Sequence, residues 1–449
     1  MRLACLLLIA PIFAAEKPKL PEPYQSIAEL SHASPPEFSA DALLRIVETN
    51  NPDARKIDRA NRLDLVEQAF RMAAAVKFPI RMHGVAGSMV DTRSGFLSKA
   101  YDLKFDSLSL QSRAVRDMLP LDPAKARELF LAIPRPTLAP LTCQDPMVYD
   151  VSDYYLTVSA VFHGAFTTPE RKKEEDINFL LDYLGLASSP AQLAPVARLV
   201  KSVGVSPQQR EILWAKFNGL LESLQPDDRS FTAALDEIGR EVVPENQASF
   251  EKYKQKSKGC PDDARPGVTL DLSQGPVHAG STPQIERYWQ SSQAKQLLEA
   301  GQRLRFTADG KLIPEAARST REWQQQLTDY LSQLADWTAD QEKSEADYYH
   351  EKCVVYEALV ELIPPGPQRD KMIQAYVDFA GNSSLQQQSP VEWFMHAHSM
   401  LERVRSTNGG EPAKLLDAFE RSGNPVLALY AAEERVFAGQ VPSWVTNSN

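Results

Sequence analysis

Apolar residues recur at three- and four-residue intervals through most of the chain, the spacing of one face of an α-helix. In "RANRLDLVEQAFRMAAAV" the positions Leu63, Val66, Phe70 and Ala74 share such a face, and "SADALLRIVETN" reads as a helix capped by Ser39. The same period runs through "DSLSLQSRAVRDML", "DPAKARELFLAI", "VSDYYLTVSAVF", "TPERKKEEDINFLLDYLGL" and "SPQQREILWAKFNGLLESL", and later through "STREWQQQLTDYLSQLADW", "SPVEWFMHAHSMLERV" and "NPVLALYAAEERVF". Two-residue alternation is confined to "GVTLDL" and "LRFTADGKLI", whose Asp309-Gly310 is a hairpin-turn signal. The pattern predicts an all-α protein: antiparallel helical hairpins packed as an irregular α-solenoid or α/α array, with at most one small β-hairpin.

Two distant segments echo each other. "AVRDMLPLDPAKARELF" (114–130) and "ALVELIPPGPQRDKMIQ" (358–374) align an alanine, an acid, two aliphatics, a P-x-x-P and two bases. The first proline of each ends one helix, because its ring removes a donor and crowds the preceding turn. The second sits where a new helix starts and a missing N–H costs nothing, with Asp122 placed to cap the first copy. "VKSVGVSPQQREILWAKF" is a looser relative, with Gly204 as terminator and Ser206-Pro207 as restart. In "DPAKARELFLAIP" the Ala126 to Phe130 spacing resembles the second helix of a tetratricopeptide unit, over one hairpin. More generally the hairpins resemble an α-helical repeat array of the tetratricopeptide or HEAT type. That resemblance implies stacked antiparallel helices with a binding face.

The N-terminus changes the picture of where the chain works. "MRLACLLLIAPIFAA" has Arg2, an apolar run and then small residues, so residues 1–14 are expected to be a signal peptide and the protein to be exported, to a periplasm or the exterior. No later segment reaches the roughly 20 apolar residues of a membrane span, so stable membrane insertion is not expected. Glycine and proline concentrate in "SKGCPDDARPGVTLDLSQGPVHAGSTP", which divides the chain into helical domains at 15–256 and 284–449 joined by a linker or ordered loop at 257–283. Net charge is −10 with acids and bases interspersed, which argues against a nucleic-acid partner. Beyond the leader lie Cys143, Cys260 and Cys353; the two in turn-rich sequence, Cys143 and Cys260, are the expected disulfide, with Cys353 a buried thiol.

Candidate chemistry is sparse. In "EADYYHEKCVVYEALVEL", turned by about 100° per residue, Tyr349, Cys353, Tyr356, Val360 and Ile363 form an apolar stripe, and His350, Glu357 and Glu361 fall together beside it. These three are the candidate metal ligands. The fourth residue after His350 is Val354, so the H-E-x-x-H pattern is missing, and a solvated or hydrogen-bonded polar edge is the expected role. His396 and His398 are two apart and point to different sides of their helix; His163 reads as a core or helix-end histidine. His83, Ser88 and Asp91 read as loop residues, and the S-x-x-K spacings at Ser249 and Ser292 lack companion motifs. Trp289, Trp323, Trp337 and Trp393 read as packing between helices.

No cofactor is expected, and no catalytic residue is assigned. The leading expectation is a non-enzymatic exported scaffold that binds a protein or peptide. The alternative is a secreted glycosidase or polysaccharide lyase, since the helix content also resembles the α/α toroid of such enzymes. A third reading is a superhelical scaffold resembling the noncatalytic part of periplasmic lytic transglycosylases.

Overall fold

The computed structural model describes residues 19–84, 92–143, 145–225, 229–230, 238–242, 244–256, 292–338, 345–383, 388–407 and 409–437. The expected leader, the Gly/Pro-rich segment 257–283, Cys260, Trp289, Ser88 and Asp91 lie outside them.

The helices of the first part are α1 (Tyr24–His32), α2 (Pro36–Glu48), α3 (Arg59–Ala75), α4 (Thr92–Asp102), α5 (Ser107–Met118), α6 (Pro123–Ala132), α7 (Ser152–Gly164), α8 (Thr168–Lys172), α9 (Glu175–Leu184), α10 (Leu193–Ser202), α11 (Pro207–Ser223) and α12 (Gln247–Lys256). The second part holds α13 (Ser292–Arg305), α14 (Glu315–Arg318), α15 (Arg321–Asp336), α16 (Glu345–Leu362), α17 (Pro367–Asn382), α18 (Pro390–Ser406), α19 (Pro412–Arg421) and α20 (Pro425–Phe437). The protein is all-α, as the periodicity predicts.

Local chemistry explains most boundaries. Asp58, Asp106 and Asp122 accept the backbone N–H three residues on and open α3, α5 and α6. Ser206 with Gln209, and Ser389 with Glu392, form capping boxes at α11 and α18, each followed by proline at the first helical position. The two echoing segments are the hairpins α5–α6 and α16–α17; in the second, Gly366 takes φ 146°, a region closed to residues with a Cβ. Three local expectations need correction. Helix α2 starts at Pro36, and Ser39 lies inside it with its hydroxyl donating to the Ser31 carbonyl at 2.6 Å. The expected single helix after Thr168 breaks where Glu174 adopts φ 57°, separating α8 from α9. Helix α10 ends at extended Val203, and Gly204 is not left-handed.

The two-stranded sheet is also not where alternation placed a hairpin. Strand β1 (Met82–Gly84) pairs antiparallel with β2 (Met147–Tyr149), His83 opposite Val148. "LRFTADGKLI" forms one bridge, Phe306 to Leu312, around Gly310 at φ 76°.

Helices pack largely against sequence neighbours: α2 on α3, α3 on α5, α5 on α6 and α7, then α16 on α17 and α18, and α19 on α20. The chain also closes on itself. Helix α1 packs on α20, α2 touches α20 and α4 touches α18. Tyr24 and Phe437 stack with centroids 6.4 Å apart, and Phe38 meets Phe394 at 5.0 Å. The first helices and the last therefore share one core. Their seam is where polar side chains gather.

Candidate functional site

Helix α18 is the wall that organises the seam. Its two faces serve different neighbours: His396 faces α16, while Phe394, Met395, His398, Glu402 and Arg405 line a cavity of about 800 Å³ bounded by α2, α4 and α20. The expected divergence of His396 and His398 is what the structure shows.

On the α16 side lies a buried chain of hydrogen bonds. Gln388 Nε2 meets His350 Nε2, His350 Nδ1 lies 2.5 Å from His396 Nε2, and His396 Nδ1 lies 2.7 Å from Glu357 Oε1. Glu357 Oε2 is 3.3 Å from Arg403 Nε, which carries the chain to the surface. Phe96 of α4 covers it, its ring edge-on to His350 at 4.5 Å and stacked on His396 at 4.7 Å. His350, Glu357 and His396 are all buried, so the polar edge is hydrogen-bonded rather than solvated. Burying such groups is tolerated because each finds a partner.

The structure keeps two of the three metal candidates together and separates the third. Glu361 lies half-exposed, 3.0 Å from Arg403 Nη1 and 3.8 Å from Arg305 Nη1. Both nitrogens of His350 and of His396 are engaged within the hydrogen-bond chain, which leaves no ring lone pair directed at a cation. Among the described residues no group of three or more His, Cys, Asp or Glu is arranged to hold a metal. Cys353 is fully buried and free, its thiol pushed well up by burial and by nearby Glu357. That is a packing residue, and a poor nucleophile. Cys143 is disulfide-bonded, and its expected partner Cys260 lies outside the described residues.

On the cavity side the lining mixes aromatic rings with charged side chains. Phe38 meets Phe105 at 5.3 Å, and Phe394 meets Tyr430 at 4.8 Å, both edge-on. His398 Nδ1 sits 2.9 Å from Tyr430 Oη, and burial lowers its pKa. Arg405 bridges Glu402 at 2.7 Å and Glu434 at 2.5 Å. Arg45 donates to Glu433 Oε2 at 2.9 Å and lies over the Phe437 ring at 4.8 Å. Glu433 is only 6% exposed, and its Oε1 has no hydrogen-bond partner. Burial outweighs the attraction of Arg45, and Asp41 adds repulsion; the carboxyl is pushed up to about 8.

Behind Asp41 stands a second buried cluster. Arg113 binds Glu48 through both oxygens, at 2.6 and 2.7 Å, and Asp41 through Nη1. Asp117 is fully buried beside them, its pKa raised by burial and by Glu48. A smaller cavity of about 260 Å³, lined by His83, Asp150 and Ser230, lies beside the strands. His163 is exposed in the last turn of α7, and Trp323, Trp337 and Trp393 are buried packing residues.

The His350–His396–Glu357 chain and the cavity both escape a reading of local sequence. His396 is 46 residues from His350 and on another helix. The one available signal was a histidine in the stripe of Trp393 and Met400, a polar residue that burial obliges to find a partner. No protein-family model, curated protein or solved structure matches the chain.

Proposed function

We propose that the protein is an exported, non-catalytic helical scaffold that binds a peptide or an exposed segment of another protein in the seam cavity. The observation that carries this reading is the cavity of about 800 Å³ where the first and last helices meet, lined by both aromatic rings and charged side chains. Its volume and its mixed lining suit a ligand of drug or short-peptide size. The repeat-like hairpins supply rigid walls on which such a site stays open. The leader-like N-terminus supports export, and no helix among the described residues is long and apolar enough to cross a membrane.

The experiment is site-directed photocrosslinking. A benzophenone amino acid replaces Lys99, at the cavity rim, or Leu131, exposed on α6, and each purified protein is incubated with an envelope extract. Adducts formed from position 99 and absent from position 131 support the reading. Equal or absent adducts at both positions overturn it.

One observation favours the enzymatic alternative. Glu433 is a carboxyl held protonated near neutrality and facing a cavity, the state required of a general acid in glycoside hydrolysis. Release of reducing ends from polysaccharide, abolished by Glu433→Gln, would establish that reading and displace the scaffold.

A further inference from the structure

Among the described residues, every charged side chain of the seam cavity but two is already in an ion pair. Arg45 holds Glu433, Arg405 holds Glu402 and Glu434, and Asp41 is held by Arg113. The exceptions are Lys99 and Asp102, both on α4, both exposed and both lining the cavity. Three residues apart, they share one face of the helix, with Cβ atoms roughly 5–6 Å from each other. The same spacing joins Lys125 to Glu128 at 3.1 Å and Arg405 to Glu402 at 2.7 Å, but Lys99 and Asp102 form no such pair. Partial burial and the repulsion of Asp150 raise the Asp102 pKa, outweighing the attraction of Arg81, His83 and Lys104, so its charge is under-neutralised in the free protein. The cavity thus offers one open cation and one open anion, a helical turn apart, together with the apolar surfaces of Phe38, Phe105, Phe394 and Leu429.

A ligand matched to that lining carries a positive and a negative group a short distance apart on an apolar body. A dipeptide with free ends has this form. Its ammonium and carboxylate are both charged at neutral pH and stand at most roughly 7 Å apart, the span of two extended residues. We propose that the seam cavity binds a dipeptide with free ends and apolar side chains, its carboxylate on Lys99, its ammonium on Asp102 and its side chains on Phe38, Phe105 and Phe394. The proposal rests on the peptide-binding reading above and narrows its ligand. A longer extended peptide brings only one of its ends to the pair, and an internal segment of a protein brings neither.

The test is calorimetric titration of the purified protein with Phe-Leu, acetyl-Phe-Leu, Phe-Leu-amide and acetyl-Phe-Leu-amide. At pH 7 Phe-Leu is expected to bind about fivefold tighter than either singly blocked peptide, the upper end for a solvent-exposed charge pair. Lys99→Gln should remove the penalty of amidation and keep that of acetylation; Asp102→Asn should do the reverse. Both positions are exposed, so neither change disturbs the core, and circular dichroism checks that each variant is folded. Equal binding of the free and blocked peptides overturns the proposal and leaves the peptide-binding reading intact. Penalties that persist unchanged in both variants also overturn it, because the ends are then read elsewhere. Binding of none of the four overturns it as well. A benzophenone at position 99 removes only the carboxylate contact, so adducts formed there would show that the peptide-binding reading survives that failure.

Discussion

Replacing Arg113 by methionine removes the cation that binds directly to a knot of buried acids. Arg113 is fully buried and neutralises Asp41 and Glu48, with Asp117 packed against the same group. Methionine fills similar space and leaves Asp41 and Glu48 without their ion-pair partner, a change that costs about 3–5 kcal/mol for a buried pair. The cost depends on pH. With the guanidinium gone, burial favours the neutral form of the acids left behind, as it already does for Asp117, whose pKa burial raises in the native protein. Such a penalty is complete above the folded pKa and shrinks as pH falls towards the unfolded one. The assay is urea unfolding followed by circular dichroism at pH 8 and pH 5. The loss should be larger at pH 8, and Arg113→Met combined with Asp41→Asn and Glu48→Gln should recover most of it. A loss below about 1 kcal/mol, typical of surface ion pairs, or equal losses at the two pH values, would refute the reasoning.

Three further outcomes are expected. Changing His396 to leucine leaves Glu357 and His350 buried without their shared partner and should cost about 1–3 kcal/mol in urea unfolding; a neutral result would mean that water replaces the ring. Glu433 is raised from 4.5 to about 8, so its contribution to stability is lost as pH rises through that window, and Glu433→Gln should flatten the fall measured by thermal unfolding between those limits. Cys353 should resist thiol reagents in the folded protein and, once the expected leader is removed, react as the one thiol outside the Cys143 disulfide on denaturation without reductant; three reactive thiols would show that the disulfide is absent.

What could be read from sequence was what local physics determines. The α5–α6 and α16–α17 turns were legible because proline acts on its own neighbours, and the α16 stripe was legible because Tyr349, Cys353, Tyr356 and Val360 repeat at the helical period. Ser39 misled because a serine before an apolar run resembles a cap, whereas Pro35 and Pro36 had already begun the helix. Strands β1 and β2 are three residues each and take their stability from a distant partner, so neither shows an alternation of its own. The site was the least legible part. His350 found its partner on α18 and Glu433 found its neighbours on α2, and only tertiary packing brings those helices together.

The contact of α1 with α20 sets the order in which this protein can be completed. A chain made from its N-terminus presents Tyr24, Ile27 and Phe38 long before Phe437 and Phe394 exist to cover them. Until the last helix arrives, those apolar side chains lie uncovered on a partly folded protein. Such surfaces attract chaperones and aggregate when left bare. Truncation after α19 would therefore do more than remove one helix: it would strand the opening helices without their cover, at the end of the molecule farthest along the chain from the cut.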